Sequence, residues 1–162
     1  MAPYSAPSPQ LHWNAVPRPT PPPQPTLGPR APHTGSRPHD FPAAFSHACA
    51  LREADDLSGA ADAFGSLCLR YPERIETYKA LGYVLYALGD CHRAPSPLLF
   101  AFLCDGTDPT PLYVCALCNQ RSGDLRTARD MASDALDVAR RSHRHARVLA
   151  SAQRLLDTLS SS

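Results

Sequence analysis

Apolar residues recur with helical spacing through residues 43–160, and polar turns divide them into short segments. Ala61, Phe64, Leu67 and Cys68 form one such stripe, and Leu149, Ala152, Leu155, Leu156 and Leu159 form another. A spacing of three and four residues places side chains on one face of a helix. The pattern predicts six or seven short helices, over residues 42–53, 58–70, 73–88, 97–104, 110–122, 124–141 and 143–159.

Two of these segments repeat each other with a shift of 34 residues. The run Tyr78-Lys-Ala-Leu-Gly82, followed by Gly89-Asp90 and Ala94, recurs as Leu112-Tyr-Val-Cys-Ala116, followed by Gly123-Asp124 and Ala128. Each glycine suits the turn after a helix, and each alanine allows the next helix to approach closely. A period of 34 residues in helix-turn-helix units is the tetratricopeptide signature.

A weaker third copy precedes these two. Ala60 occupies the position of Ala94, Phe64 that of Leu98, and Pro72 closes the unit. Asp55 stands where the turn glycine is expected. The common register predicts an all-α fold of three tetratricopeptide helix hairpins in a right-handed solenoid, with repeats at 41–74, 75–108 and 109–142 and a C-terminal capping helix at 143–159.

Prolines are predicted to distort the second repeat. Pro95 and Pro97 lie where its second helix should already be under way, and a proline inside a helix costs about 3 kcal/mol. We therefore expect an irregular link over 91–95 and a helix of barely two turns over 97–104, with Ser96 as its N-cap. Thr110 and Pro111 are expected to repeat this arrangement at the start of the third repeat.

The N-terminal quarter of the chain differs in composition from the rest. Of the 18 prolines, 13 lie in residues 1–42, where apolar periodicity is absent. This composition predicts a disordered or polyproline-like tail over 1–40, followed by one folded domain over 41–160.

Charge and composition exclude several classes of function. The formal net charge of +1 gives no general electrostatic case for nucleic acid, and the basic run over 140–154 is interpreted as a solvated helix face. No run of about 18 apolar residues or signal peptide is found, which predicts a cytoplasmic protein without direct membrane insertion. No catalytic constellation or cofactor fingerprint occurs at useful spacing, so neither an enzyme nor a cofactor is expected.

The six cysteines are interpreted as small apolar residues rather than as a metal site or a disulfide framework. Cys115 takes the core position of Leu81, and Cys49 and Cys68 lie inside helices of the first repeat. Cys115 and Cys118 form a single CxxC pair without a second pair of ligands, so no metal is expected.

The first helix of each tetratricopeptide hairpin lines the concave side of the stack, and these helices supply the candidate groove. Five positions of each repeat point toward that side. Counted in this register, the candidate groove residues are Phe45, Cys49, Arg52, Lys79, Tyr83, Tyr86, Tyr113, Leu117, Gln120 and Arg121. Tyrosine suits peptide binding because its ring buries a large area at little entropic cost and its hydroxyl can hydrogen-bond a peptide.

Two other interpretations of these positions remain open. Tyr83, Tyr86 and Tyr113 could instead fill the seam between neighbouring helices. A clamp for a C-terminal carboxylate, which some tetratricopeptide proteins build from lysines and asparagines, is disfavoured because only Lys79 has the required chemistry.

Several local sequences resemble the LcrH/SycD family, the class II chaperones of bacterial type III secretion. They are Phe64-Gly-Ser-Leu-Cys-Leu69, Ala80-Leu-Gly-Tyr83, Leu88-Gly-Asp90, Asp108-Pro-Thr-Pro-Leu-Tyr113 and Gly123-Asp-Leu125. The resemblance covers roughly residues 41–142. It implies a cytoplasmic bacterial chaperone that holds an extended segment of hydrophobic translocator proteins in its concave groove and leaves homodimerisation open.

The main alternative is a tetratricopeptide scaffold or co-chaperone unrelated to secretion. The array stops at three repeats with a capping helix and an aromatic groove, which favours the chaperone. A neighbouring gene that encodes a protein with paired apolar helices would distinguish the two.

Overall fold

The computed structural model describes residues 40–161 and shows seven α-helices in this range. The elements are α1 (Asp40–Glu53), α2 (Leu57–Arg70), α3 (Ile75–Ala87), α4 (Pro95–Asp105), α5 (Thr110–Arg121), α6 (Leu125–Arg140), a short 3-10 helix (His143–His145) and α7 (Ala146–Ser160). The fold is the predicted all-α series of three hairpins followed by a further helix. The predicted proline-rich tail lies outside the described residues, except that Asp40 already begins α1.

The 34-residue register is visible in the turns inside the three hairpins. The second residue after each first helix has left-handed φ, namely 63° at Asp55, 81° at Gly89 and 83° at Gly123. Asp55 therefore adopts the conformation of the two glycines, because a short polar side chain tolerates this region better than most others do. The weak first copy is a true repeat in backbone conformation.

The next residue of each turn is an aspartate, which caps α2 and α6 and, in the middle repeat, caps the turn that precedes α4. Its carboxylate accepts the backbone N–H three residues later, at 2.9 Å from Gly59, 3.0 Å from Arg93 and 3.1 Å from Thr127; the three capping residues are Asp56, Asp90 and Asp124. Such caps satisfy donors that have no partner within the helix. The same cap at the same spacing starts α2 and α6, and in the middle repeat it closes the turn before α4.

The prediction for the second helix of the middle repeat was wrong. Ser96 is not its N-cap, and α4 extends over 11 residues from Pro95 to Asp105. The preceding residues form a turn in which the N–H of Ala94 donates to the carbonyl of Asp90 at 3.1 Å. Both prolines are accommodated because they lie in the first turn, where the missing N–H groups would have had no intrahelical partner.

The predicted cap of α5 was also displaced. Thr110 is the first residue of the helix, and its N–H donates to the carboxylate of Asp108 at 2.9 Å. Pro109 takes the N-cap position, and both Pro109 and Pro111 are buried.

The hydrophobic core runs along the stack between successive helices. Small residues allow each hairpin to close, and the alanines of the second helices that do so, Ala60, Ala94 and Ala128, are fully buried. Gly82 allows the closest approach, since a Cβ added there would lie 2.4 Å from Cγ of Leu98. The middle hairpin thus combines a glycine on α3 with a leucine on α4.

Contacts between helices that are not neighbours in sequence occur on the side of α3, α5 and α7. Each helix packs against the next in sequence, and in addition α3 packs on α5 and α5 on α7. Among residues 40–161 no comparable packing joins α2 to α4 or α4 to α6. α7 buries Ala152, Leu155 and Leu159 against the last hairpin, as expected of a capping helix. Within the same range, no helix has the length and apolar character needed to cross a bilayer.

Candidate peptide-binding face

The candidate groove residues lie on α1, α3 and α5. Eight of the ten are half-buried, and the two arginines, Arg52 and Arg121, are exposed. The positions chosen from the register therefore carry side chains that are neither wholly solvated nor wholly enclosed. We call their shared surface the first-helix face.

The centre of this face joins α3 to α5. The guanidinium of Arg121 lies over the ring of Tyr86, with 4.3 Å from its carbon to the ring centroid. Burial raises the pKa of Tyr83 far above its ordinary value, although a hydrogen bond with the Thr110 side chain works in the opposite direction. Both tyrosines thus have partners on the neighbouring helix while part of each ring stays exposed.

Lys79 is tied to the end of α4 and the start of α5. Its ammonium nitrogen lies 2.9 Å from a carboxylate oxygen of Asp105 and 3.2 Å from one of Asp108. Burial lowers the pKa of Lys79, but these two hydrogen bonds outweigh that effect and raise the pKa overall. The positive charge expected on this face is therefore neutralised here, which further disfavours a carboxylate clamp.

The α1 side of the face is more enclosed than the register suggested. The ring of Phe45 meets that of Phe64 edge-on, with centroids 5.5 Å apart, and lies 5.6 Å from that of Phe41. Phe64 is fully buried. Phe45 thus contributes to the first hydrophobic cluster as well as to the surface.

The opposite side of the face borders α7. Tyr113 and Leu117 pack against the clusters that contain Leu155 and Leu159. Tyr113 also lies beside Ala152 in the neighbouring cluster. The capping helix therefore occupies the place that the first helix of a fourth repeat would take.

Sequence reasoning missed the polar residues that organise this face. Asp105, Asp108 and Thr110 were not among the candidates, yet they hold Lys79 and Tyr83. The Asp-Pro-Thr sequence at 108–110 was available as a signal, because aspartate two residues before a helix commonly accepts its first N–H groups.

A separate apolar surface was also missed. Leu69 is 87% exposed and Leu103 is 80% exposed, and both belong to second helices. α4 carries apolar residues at Leu98, Leu99, Phe100, Phe102 and Leu103, which is more than one buried stripe can accept.

Cys68, Cys115 and Cys118 are buried as expected of packing residues, whereas Cys104 is exposed. Cys115 is fully buried, and this burial raises its pKa to about 12. Burial also raises the pKa of Cys118 to about 12, and the neighbouring Cys91 side chain raises it further. All six are free thiols, and residues 40–161 contain no group of three or more His, Cys, Asp or Glu residues placed to hold a metal ion.

Comparison with solved structures identifies the fold. The chain matches the crystal structure of PcrH in complex with the chaperone binding region of PopD, with a TM-score of 0.72 and 20% identity over 76% of this chain and 92% of the other. A crystal structure of PcrH is from Pseudomonas aeruginosa. The Yersinia enterocolitica type III secretion chaperone SycD, in complex with a peptide of the translocator YopD, matches with a TM-score of 0.71 and 16% identity over 75% of this chain and 93% of the other.

A type III secretion complex from Aeromonas hydrophila matches with a TM-score of 0.72 and 19% identity over 76% of this chain and 83% of the other. No protein-family model and no curated protein sequence matches the chain. The described helices therefore have the fold of the translocator chaperones PcrH and SycD, and this likeness rests on structure rather than on sequence identity.

Proposed function

We propose that this protein is a bacterial chaperone that binds an extended segment of hydrophobic type III secretion translocators on its first-helix face. The observation that carries the proposal is the match of the helical stack to PcrH and SycD. Those proteins were solved in complex with the chaperone binding regions of PopD and PopB and with a peptide of YopD. The proposed site of action is the cytoplasm, before the client is exported.

The packing of the helices supports a groove on this face. α3 contacts α5 and α5 contacts α7, whereas no comparable contact joins the second helices of the described residues, and this difference supports a concave side formed by the first helices. Tyr83, Tyr86 and Tyr113 each leave part of the ring exposed there. An extended peptide laid across these rings would bury apolar area and find hydroxyl partners for its backbone.

The charge of this face favours an uncharged or mildly acidic client segment. Lys79 is neutralised by its two carboxylate partners, and Arg52 lies 3.9 Å from Glu53. Arg121 remains over the ring of Tyr86 as the accessible cation at the centre. Binding here would rest on apolar contact more than on ion pairs.

The physical need for such a chaperone follows from the proposed clients. A translocator carries membrane-spanning segments that would associate in the cytoplasm, so a partner must cover apolar surface until export. Ordering an extended segment costs conformational entropy, which keeps affinity moderate and allows release. No nucleotide is needed for this cycle.

Co-expression with the candidate secreted proteins, followed by pull-down, tests the proposal. We expect the double variant Tyr83→Ala and Tyr113→Ala to lose client binding, because it removes both aromatic rings from the first-helix face. Leu69→Ala combined with Leu103→Ala removes two exposed apolar residues from second helices and is the matched control, which we expect to retain the client.

The helical content of each variant is measured by circular dichroism, because both tyrosines also pack against core residues. Gln120→Trp is the second variant, since it fills the face without removing a packed ring. If both face variants keep the client while folded, or if only the control pair loses it, the first-helix face is not the binding site. A dimer, as SycD forms in one crystal structure, would be detected by sedimentation of the same samples.

A further inference from the structure

The strongest unassigned feature is a cavity of about 410 Å³ at the junction of α6 and α7. It lies between the loop after α4, at Gly106 and Thr107, and the segment from Arg141 to His145. None of its lining residues belongs to the first-helix face. The cavity is therefore a second concave site with its own chemistry.

Positive charge dominates the lining of this cavity. Arg141 and Arg144 each contribute a guanidinium group, and His145 adds an imidazole ring. In residues 40–161 neither arginine has a carboxylate within ion-pair distance, whereas the neighbouring Arg140 is paired with Asp137 at 3.2 Å. Two guanidinium groups without internal partners in one concavity attract an anion.

Two carboxylates near this end of the stack are already engaged. Asp137 is held by Arg140, and Asp105 accepts hydrogen bonds from Lys79 at 2.9 Å and from the Thr107 hydroxyl at 2.5 Å. Asp134 lines a neighbouring cavity together with Arg141 and is the one carboxylate there for which no ion pair is formed within the described residues. The balance of charge at the α6–α7 cavity stays positive.

Neutral groups complete the lining. The Ser142 hydroxyl oxygen accepts the N–H of Arg144 at 3.3 Å, so its own hydrogen remains available to a ligand. Val138 is 8% exposed and supplies an apolar wall. Both arginines are exposed to solvent, so their attraction for an anion is screened by salt and is strongest at low ionic strength.

We propose that the α6–α7 cavity binds a phosphate group carried by a small molecule or a lipid headgroup. Guanidinium groups match phosphate oxygens in paired, charge-assisted hydrogen bonds, and a serine hydroxyl adds a neutral donor. The volume lies in the range of small-molecule sites and is compact for an extended peptide. The basic run over 140–147, which the sequence suggested was merely solvated, then has a binding role.

Titration calorimetry at low salt tests the site with three probes, namely inorganic phosphate, glycerol 3-phosphate and phosphatidylcholine vesicles with or without phosphatidic acid. We expect saturable binding to a phosphate probe, weakened about tenfold or more in Arg141→Ala combined with Arg144→Ala. Arg147→Ala removes the same charge from the same run but does not line the cavity, and we expect it to change the affinity by less than about twofold. Binding of the soluble probes identifies a free phosphate compound as the source, and binding of phosphatidic acid vesicles alone identifies a headgroup.

Circular dichroism confirms the fold of each variant, and Arg141→Lys combined with Arg144→Lys keeps the charge if the alanine variant unfolds. We expect this lysine pair to bind more weakly than the native arginines, since an ammonium lacks the paired donors. The proposal would be overturned by equal affinity for acetate or by an equal loss of affinity in Arg147→Ala. It would also be overturned by full affinity in the lysine pair or by no saturable binding of any phosphate probe. Tyr83→Ala combined with Tyr113→Ala should bind phosphate normally, so this test is independent of the client-binding proposal.

Discussion

Asp55 adopts the turn conformation of the repeat at a position where the consensus glycine is absent. Its φ of 63° matches Gly89 and Gly123, and the N–H of the following Asp56 donates to the carbonyl of Leu51 at 2.9 Å, as Asp90 does to Leu85 at the same distance. The backbone conformation is therefore conserved within the chain although the side chain is not. A residue with a Cβ pays for this geometry in free energy that glycine does not.

Exchanging these turn residues gives the first prediction. Asp55→Gly should raise the free energy of unfolding by up to about 1 kcal/mol, because it removes a left-handed residue with a Cβ. Gly89→Asp should lower it by about 1 kcal/mol for the same reason, since a Cβ at Gly89 meets no atom within 4 Å and only the backbone is strained. Urea unfolding followed by circular dichroism measures both, and a stabilised Gly89→Asp would contradict the explanation.

At the scale of elements, α3 and α4 meet through a glycine where the other two hairpins have an alanine. The position of Gly82 is occupied by Ala48 in the first repeat and by Ala116 in the third. The facing position is Phe64, Leu98 or Ala132 respectively, and all three are fully buried. Each hairpin therefore fills the contact between its two helices with side chains of a different pair of volumes.

The substitution Gly82→Ala tests this packing in the middle hairpin. A Cβ 2.4 Å from Leu98 forces the two helices apart, and overpacking of this kind costs about 1–3 kcal/mol. Gly65→Ala in α2 is the matched control, because no atom lies within 4 Å of the added Cβ and alanine favours a helix by up to about 1 kcal/mol. The midpoint temperature of thermal unfolding should fall for Gly82→Ala and rise for Gly65→Ala. An equal rise in both variants would show that α4 shifts freely to accommodate the added Cβ.

The start of α4 accommodates two prolines that the sequence predicts to interrupt it. Pro95 and Pro97 both fit the first turn of the helix, which follows the turn capped by Asp90. A proline is costly only where an N–H is needed or where its ring meets the preceding turn. The spacing of Asp56, Asp90 and Asp124, which the sequence displays, would have placed this turn correctly.

For the molecule as a whole, the cysteines report on the integrity of the stack. Burial raises the pKa of Cys68 to about 11 and that of Cys115 to about 12, while Cys104 is exposed. The thiolate is the reactive form, so burial slows reaction both by access and by protonation. The six thiols are distributed over the first two repeats and the start of the third.

Thiol labelling at pH 8 provides the whole-molecule prediction. We expect Cys104 to react first, with Cys115 and Cys118 slower by roughly a hundredfold or more until the protein unfolds. Cys104→Ser should remove the fast phase and leave the slow ones unchanged. Rapid labelling of Cys115 in the folded protein would mean that the third hairpin opens readily.

The sequence by itself determined the 34-residue register, the hairpins, the small residues between them and the buried position of Cys115. These features depend on periodicity, turn conformation and side-chain volume, which act within a few residues and are written in the local sequence.

Only the tertiary structure determined which side chains from different helices meet. It paired Lys79 with Asp105 and Asp108, placed Arg121 over Tyr86, packed Phe45 against Phe64 and brought the arginines of the α6–α7 cavity together in its lining. These partners are separated by many residues, and their meeting depends on how each helix is rotated and displaced against the next. Periodicity specifies which face of a helix is buried, and packing of the whole stack selects which side chains meet there.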